Sequence, residues 1–104
     1  MKLAVLTTTF LAAMAPAIGS AQDQQALYVR SLAATCANCH GTAGSPQPGS
    51  AVPRLAGTPR QDMIASMQAF KAGTRQATVM HQLAKGYTDA QIAQLADYFA
   101  AQPK

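Results

Sequence analysis

Apolar residues in the second half of the chain recur at helical intervals. Ile92, Leu95, Ala96 and Phe99 fall at i, i+3, i+4 and i+7, the spacing that lines one face of a helix. Met63, Ile64, Met67 and Phe70 do the same in "RQDMIASMQAFKA". Nearer the start, "QQALYVRSLAAT" contains good helix formers, with Leu27, Ser31, Leu32 and Thr35 three or four positions apart, and predicts a helix from Gln24 to about Thr35. The short run "TVMHQLAK" predicts a further helical piece that stops at Gly86. No stretch of residues 22–104 alternates as a strand does, and no repeat or heptad occurs. The fold class predicted is therefore all-α.

Local signals place the ends of these helices. Thr58-Pro59 reads as N-cap plus first helical residue, and Gly73 closes the helix that follows. Thr88 and Gln91 have capping-box spacing ahead of the last helix, which Pro103 ends. Between the first two long helices lies "GTAGSPQPGSAVPRLAG", residues 41–57, with four glycines and three prolines. That composition predicts an irregular loop. A loop so long in a small domain usually wraps something.

The chain opens "MKLAVLTTTFLAAMAPAIGSAQDQQ". Lys2 gives a positive start, Leu3 to Ala17 is free of charge, and Gly19-Ser20-Ala21 supplies small residues where a signal peptidase cuts. Residues 1–21 are thus expected to be a secretory signal and residues 22–104 one domain, exported to the periplasm without a membrane anchor after cleavage. A spanning helix needs about 18 or more apolar residues, and this run is shorter and interrupted by threonines and Pro16. Eight Lys or Arg stand against four acidic residues, a net charge of +4. The surplus is scattered, with no basic run or aromatic interleaving, which argues against nucleic-acid binding and leaves solubility and mild steering toward an acidic partner.

The chemistry concentrates in "TCANCHGTAG", residues 35–44. A redox CxxC normally opens a helix after a strand, whereas Cys36 and Cys39 follow a predicted helix and enter a Gly/Pro loop. A structural zinc site needs four ligands, and beyond Cys36, Cys39 and His40 only His81 remains among the usual nitrogen and sulfur donors. C-x-x-C-H is read as the attachment site of a c-type haem. Two intervening residues let both sulfurs reach the vinyl groups on one side of the ring, and the next residue places an imidazole under the iron.

The second axial position decides the chemistry, since methionine there raises the potential and closes the iron to small molecules. Met63 and Met67 share an apolar helical face and read as core. Met80 lies between two better-defined helices, far enough along the chain to approach the other side of a ring. Its neighbour His81 is a rival ligand, but adjacent residues of a helical turn point about 100° apart, so only one of the two can face the iron. Met80 is the ligand expected, with His81 on the outer side.

The stretches "CANCHGTAG", "VPRLAG", "MQAFKAG" and "ATVMHQLAKGYTDAQIAQLADYFAAQ" resemble the small bacterial class I cytochromes c, and among them the cytochrome subunits of flavocytochrome c sulfide dehydrogenases. The resemblance covers most of residues 33–102. It implies helices wrapped around one covalent haem c, thioether links at Cys36 and Cys39, axial ligation by His40 and Met80, and a crossing of the first helix with the last. It also implies a loop proline carbonyl hydrogen-bonded to the axial histidine, for which Pro48 and Pro53 both qualify. Where members of the family often place a glycine and an aromatic in the first helix, this chain has Tyr28 and Leu32.

The function so implied is one-electron transfer with redox protein partners, a flavoprotein sulfide dehydrogenase among them, in a protein that is not itself an enzyme. The alternatives are a fixed electron-transfer subunit of a sulfur-oxidising flavoenzyme and a ligand-binding or peroxidatic haem protein. Leu55, Ile64, Met67, Phe70, Leu95 and Phe99 are candidates to line the pocket. Arg54 and Arg75 are candidates either for haem propionates or for plain solvation.

Overall fold

A computed structural model of the chain describes residues 18–104; most of the predicted signal, residues 1–21, lies outside them. Five helices follow in order: α1 (Ile18–Ala34), α2 (Ala37–His40), α3 (Arg60–Ala72), α4 (Met80–Leu83) and α5 (Asp89–Ala100). Single 3-10 turns occur at Thr42–Gly44 and Ala84–Gly86. No strand occurs among the described residues. The all-α expectation holds.

The last helix is the most fully determined by its sequence. The Thr88 hydroxyl accepts from the Gln91 amide at 3.1 Å, and the Gln91 side chain accepts from the Thr88 amide at 2.9 Å. This reciprocal box satisfies backbone donors that a helix start leaves unpaired. Ile92, Leu95, Ala96 and Phe99, the predicted face, are all buried. Fully burying a side chain such as Ile92 or Phe99 contributes about 1.5–3 kcal/mol, so this stripe holds α5 against its neighbours.

Packed on it is α3, through buried Met63 and Met67. Its end is as predicted: Gly73 takes a left-handed conformation at φ 75°. Its start differs from the reading of Thr58 as N-cap. Pro59 has an extended ψ of 136° and lies outside the helix, its carbonyl accepting from Asp62 and Met63 at 3.1 Å. The fixed φ of proline suits either side of a helix start, and Thr58 turns its hydroxyl back to the Arg54 carbonyl. Arg60 pairs with Asp97 at 2.6 Å, while Gln68 and Lys71 both reach Asp89, so polar contacts tie the two ends of α3 to α5.

The first helix is already formed at Ile18, the first described residue, ahead of the predicted Gln24. Leu27 is 64% exposed, and Ser31 and Thr35 also face outward. The covered stripe is Val29, Leu32, Ala33 and Cys36, again at i, i+3, i+4 and i+7. Ala33 and Cys36 contribute to it, though neither is a bulky marker of a core face. The crossing with α5 adds a polar contact: the Tyr28 hydroxyl accepts from the Gln91 side chain at 2.9 Å.

Loop 41–57 is irregular but closed on itself. The Gly44 carbonyl accepts from both the Leu55 and Ala56 amides, at 2.9 and 3.0 Å, and the Gly57 amide donates to the Phe99 carbonyl at 2.8 Å. Gly44 is buried at φ 78°, and a β-carbon there would lie 2.8 Å from Ala56 N, Leu55 Cβ and Phe99 Cδ1. Only glycine meets both demands.

We therefore expect Gly44→Ala to cost at least about 2 kcal/mol, read as a lowered midpoint in urea or thermal unfolding of the haem-loaded protein. A second expectation concerns pH. The Gln68 amide and the Lys71 ammonium hold the Asp89 carboxyl below the usual carboxylate range. A depressed folded value means that its stabilising effect is present above the unfolded pKa and fades as pH falls through the folded one. Asp89→Asn should flatten the acid limb of stability against pH below about 4.

Candidate functional site

The attachment segment is built by the end of α1. After Ala34, the Thr35 amide bonds to the Leu32 carbonyl and the Cys36 amide to the Ala33 carbonyl. One further turn, α2, follows, with the Cys39 and His40 amides both donating to the Cys36 carbonyl at 3.3 and 2.9 Å. Cys36 and Cys39 are thus three residues apart on a single turn, and both are free thiols. Cys36 is half-buried, and burial pushes its thiol up. Cys39 is exposed.

His40 is 8% exposed, the one buried polar side chain among the described residues. Its Nδ1 lies 2.7 Å from the Pro53 carbonyl. A carbonyl can only accept, so Nδ1 carries the proton and Nε2 keeps a free lone pair, the state in which imidazole binds a metal. Pro53, not Pro48, is the loop proline that makes this contact. Its position is fixed on both sides, by the Ser50 hydroxyl accepting from the Val52 amide at 3.1 Å and by the bonds of Leu55 and Ala56 to Gly44. Arg54, beside it, donates to the Ser45 hydroxyl at 3.0 Å.

Met80 opens α4, as a short helical piece between α3 and α5. It is half-buried and packs on the core cluster, as do half-buried Cys36, Leu55, Ile64 and Phe70. Met63 and Met67 lie inside that cluster, as their spacing predicts. Of the predicted pocket residues, Met67, Leu95 and Phe99 are core, while Leu55, Ile64 and Phe70 keep apolar surface at the rim. Val79 and Leu83, on either side of Met80, are about half exposed, at 51% and 52%.

His81 departs from its expected outward placement. It is half-buried, and its Nδ1 is shielded from solvent with no hydrogen-bond partner. Arg75 stacks 4.7 Å over the Phe70 ring and donates to the Ser66 hydroxyl at 2.8 Å. Neither Arg54 nor Arg75 forms an ion pair with a carboxylate among the described residues.

The rival chemistries find no support in this geometry. Cys36 and Cys39 do not form a disulfide, and no cluster of three or more His, Cys, Asp or Glu gathers among the described residues. An open groove between α1 and α5, lined by Ala26, Val29, Gln94 and Tyr98, includes none of the residues above. What the segment does present is two free thiols, an imidazole with one nitrogen free, and an apolar rim. These residues fit a haem: a flat apolar ring would cover the rim, and covering apolar surface contributes about 25 cal/mol per Å².

The profile of the cytochrome c family matches residues 25–102. The chain belongs to the cytochrome c family. Its cofactor is covalently attached haem c. The chain is 37% identical over 98 residues to the thiosulfate dehydrogenase electron acceptor of Thiomonas intermedia, which covers 94% of this chain and 42% of that protein. It is 40% identical over 68 residues to the cytochrome subunit of sulfide dehydrogenase of Chlorobaculum tepidum, covering 65% of this chain and 60% of that one. With cytochrome c4 of Pseudomonas aeruginosa the identity is 34% over 100 residues, covering 96% and 47%. The chain spans about half the length of these relatives.

One contact beside the attachment segment escaped the reading of the sequence. The hydroxyls of Thr35 and Tyr87 lie 2.7 Å apart although 52 positions separate them. No periodicity or motif joins two such residues.

Proposed function

We propose that this cytochrome is a periplasmic one-electron carrier, its haem linked through Cys36 and Cys39 and ligated by His40 and Met80. The observation that carries this reading is the 2.7 Å contact of His40 Nδ1 with the Pro53 carbonyl, which turns the other ring nitrogen into a ligand of fixed orientation. A haem c, when bound, supplies reversible change between ferric and ferrous iron. The residues around it do the rest. Cys36 and Cys39 would hold the ring covalently, and the Pro53 carbonyl fixes the orientation of the His40 imidazole. The Met80 thioether would be the second protein ligand and favour the ferrous state, while Leu55, Ile64 and Phe70 would shield the group from water.

The rival for that position, His81, is half-buried with an unpartnered Nδ1. Its place next to Met80 in the same turn sets its side chain about 100° away, so only one of the two can face the iron, and the resemblance to the class I cytochromes c favours Met80.

The roles of two relatives point to a partner class. One is an electron acceptor of thiosulfate dehydrogenase and another a cytochrome subunit of sulfide dehydrogenase. By that likeness the donor here is a dehydrogenase acting on a reduced sulfur compound, a flavoprotein in the sulfide case, and the chain drains electrons without catalysing the oxidation. Export rests on the charged, apolar and small-residue pattern of residues 1–21, with cleavage after Ala21. No helix among the described residues is long and apolar enough to cross a membrane.

The exported protein should carry the mass of one haem beyond its mature polypeptide, and its ferric form should show the near-infrared band of methionine ligation. Met80→Ala should lower the reduction potential and let carbon monoxide bind the reduced iron, while His81→Ala leaves the spectrum nearly unchanged. Exchanged outcomes would make His81 the ligand. Copurification with a flavin-containing chain would mark a fixed subunit rather than a diffusing carrier.

A further inference from the structure

The stretch from Gln76 to Gly86 carries Met80, yet among the described residues none of its side chains makes a hydrogen bond or ion pair to the rest of the protein. Burial of Ala84 and half-burial of Met80 hold it in its middle. Its polar fastenings sit just beyond its two ends. Before it, Arg75 stacks on Phe70 and bonds to Ser66. After it comes Tyr87, which is held in three ways: its amide donates to Ala84 at 3.2 Å, its carbonyl accepts from Lys71 Nζ at 2.7 Å, and its hydroxyl meets Thr35.

The direction of that last bond follows from the geometry. Thr35 Oγ1 donates its proton to the Leu32 carbonyl at 2.7 Å, so toward Tyr87 it can only accept, and the phenol donates. Thr35 is the residue immediately before Cys36. The bond therefore spans from the Met80 side of the site to the attachment side, without passing through α3 or α5.

We propose that the Tyr87 hydroxyl is a positioning group that, through Thr35, fixes the Met80-bearing stretch relative to the Cys36–His40 segment and so keeps the Met80 sulfur seated. The inference rests on the reading of Met80 as axial ligand. An external base reaches ferric iron only when the sulfur has moved aside, and its apparent affinity scales with the fraction of molecules in which that has happened. Losing one neutral hydrogen bond should raise that fraction about two- to tenfold.

The test is an imidazole titration of the ferric, haem-loaded protein, followed optically. Tyr87→Phe, which removes only the hydroxyl, should bind imidazole about two- to tenfold more tightly than the parent. Thr35→Val should do the same, Thr35→Ser should restore the parent affinity, and the double variant Tyr87→Phe/Thr35→Val should exceed neither single one, as for two partners of one bond. Arg60→Gln, which breaks a surface pair between α3 and α5, should leave the affinity unchanged and separates this role from general loosening. Unaltered affinity in Tyr87→Phe, additive effects in the double variant, or an equal rise in Arg60→Gln would each overturn the proposal. A parent protein lacking the methionine band would overturn the ligand reading and this inference together, whereas the band with an unmoved Tyr87→Phe titration defeats the inference alone.

Discussion

The hydrogen bond from His40 to the Pro53 carbonyl is the constraint on which the rest of the site depends. An imidazole has two nitrogens and is a useful ligand only when one is committed elsewhere. Here the commitment is made by a backbone carbonyl in a loop with no regular secondary structure around it. Such a carbonyl stays in place only if the loop does. Two amides bonded to the Gly44 carbonyl and a third link from Gly57 to Phe99 fix it to itself and to α5. The buried face of α5 thus reaches His40, the proposed iron ligand, through a glycine that tolerates no side chain and a loop whose backbone bonds to the last helix through Gly57 alone among the described residues.

The hydrophobic core explains why this loop and the Met80 stretch end up on the rim. A small chain buries a small core, and here it consists of α5, the inner face of α3, Ala33 of α1 and Ala84. Leu55, Ile64, Phe70 and Met80 pack on that core while keeping part of their own surface. A porphyrin face is the kind of apolar surface that suits such a rim. A haem seated on that rim would be a packing element as well as a redox centre.

Much of this was legible in the sequence because it is local. The period of Ile92 to Phe99, the box of Thr88 and Gln91, the stop at Gly73 and the C-x-x-C-H spacing each depend on residues within two turns of one another. The errors have equally physical sources. In α1 the spacing of Leu27, Ser31, Leu32 and Thr35 predicts a helix but not its covered side, which is marked by small Ala33 in the core while Leu27 stays exposed. Pro59 reads as the first helical residue because its φ fits a helix, while ψ, which the ring does not fix, sets it outside. The choice between Pro48 and Pro53 and the link between Thr35 and Tyr87 are long-range contacts, decided by how the loop closes and by where α5 begins, and neither leaves a trace in spacing.

The two sides of the site are held by different means, and this bears on how a carrier of this kind behaves. On the histidine side, Cys36 and Cys39 sit in a turn continuous with α1, and the ring of His40 is buried and bonded. On the methionine side, a stretch whose side chains make no hydrogen bond or ion pair to the rest of the protein among the described residues is held by packing and by fastenings at its ends. Electron transfer favours both ligands in place, since any motion that accompanies a change of charge must be undone at each turnover. A methionine sulfur is a soft and replaceable ligand, so the less firmly held side is the one where the fold has to supply restraint. With Met80 as the proposed ligand, burial of Ala84 and the bond of the Tyr87 hydroxyl to Thr35, the residue beside Cys36, would supply that restraint and join the weaker side of the site to the stronger one.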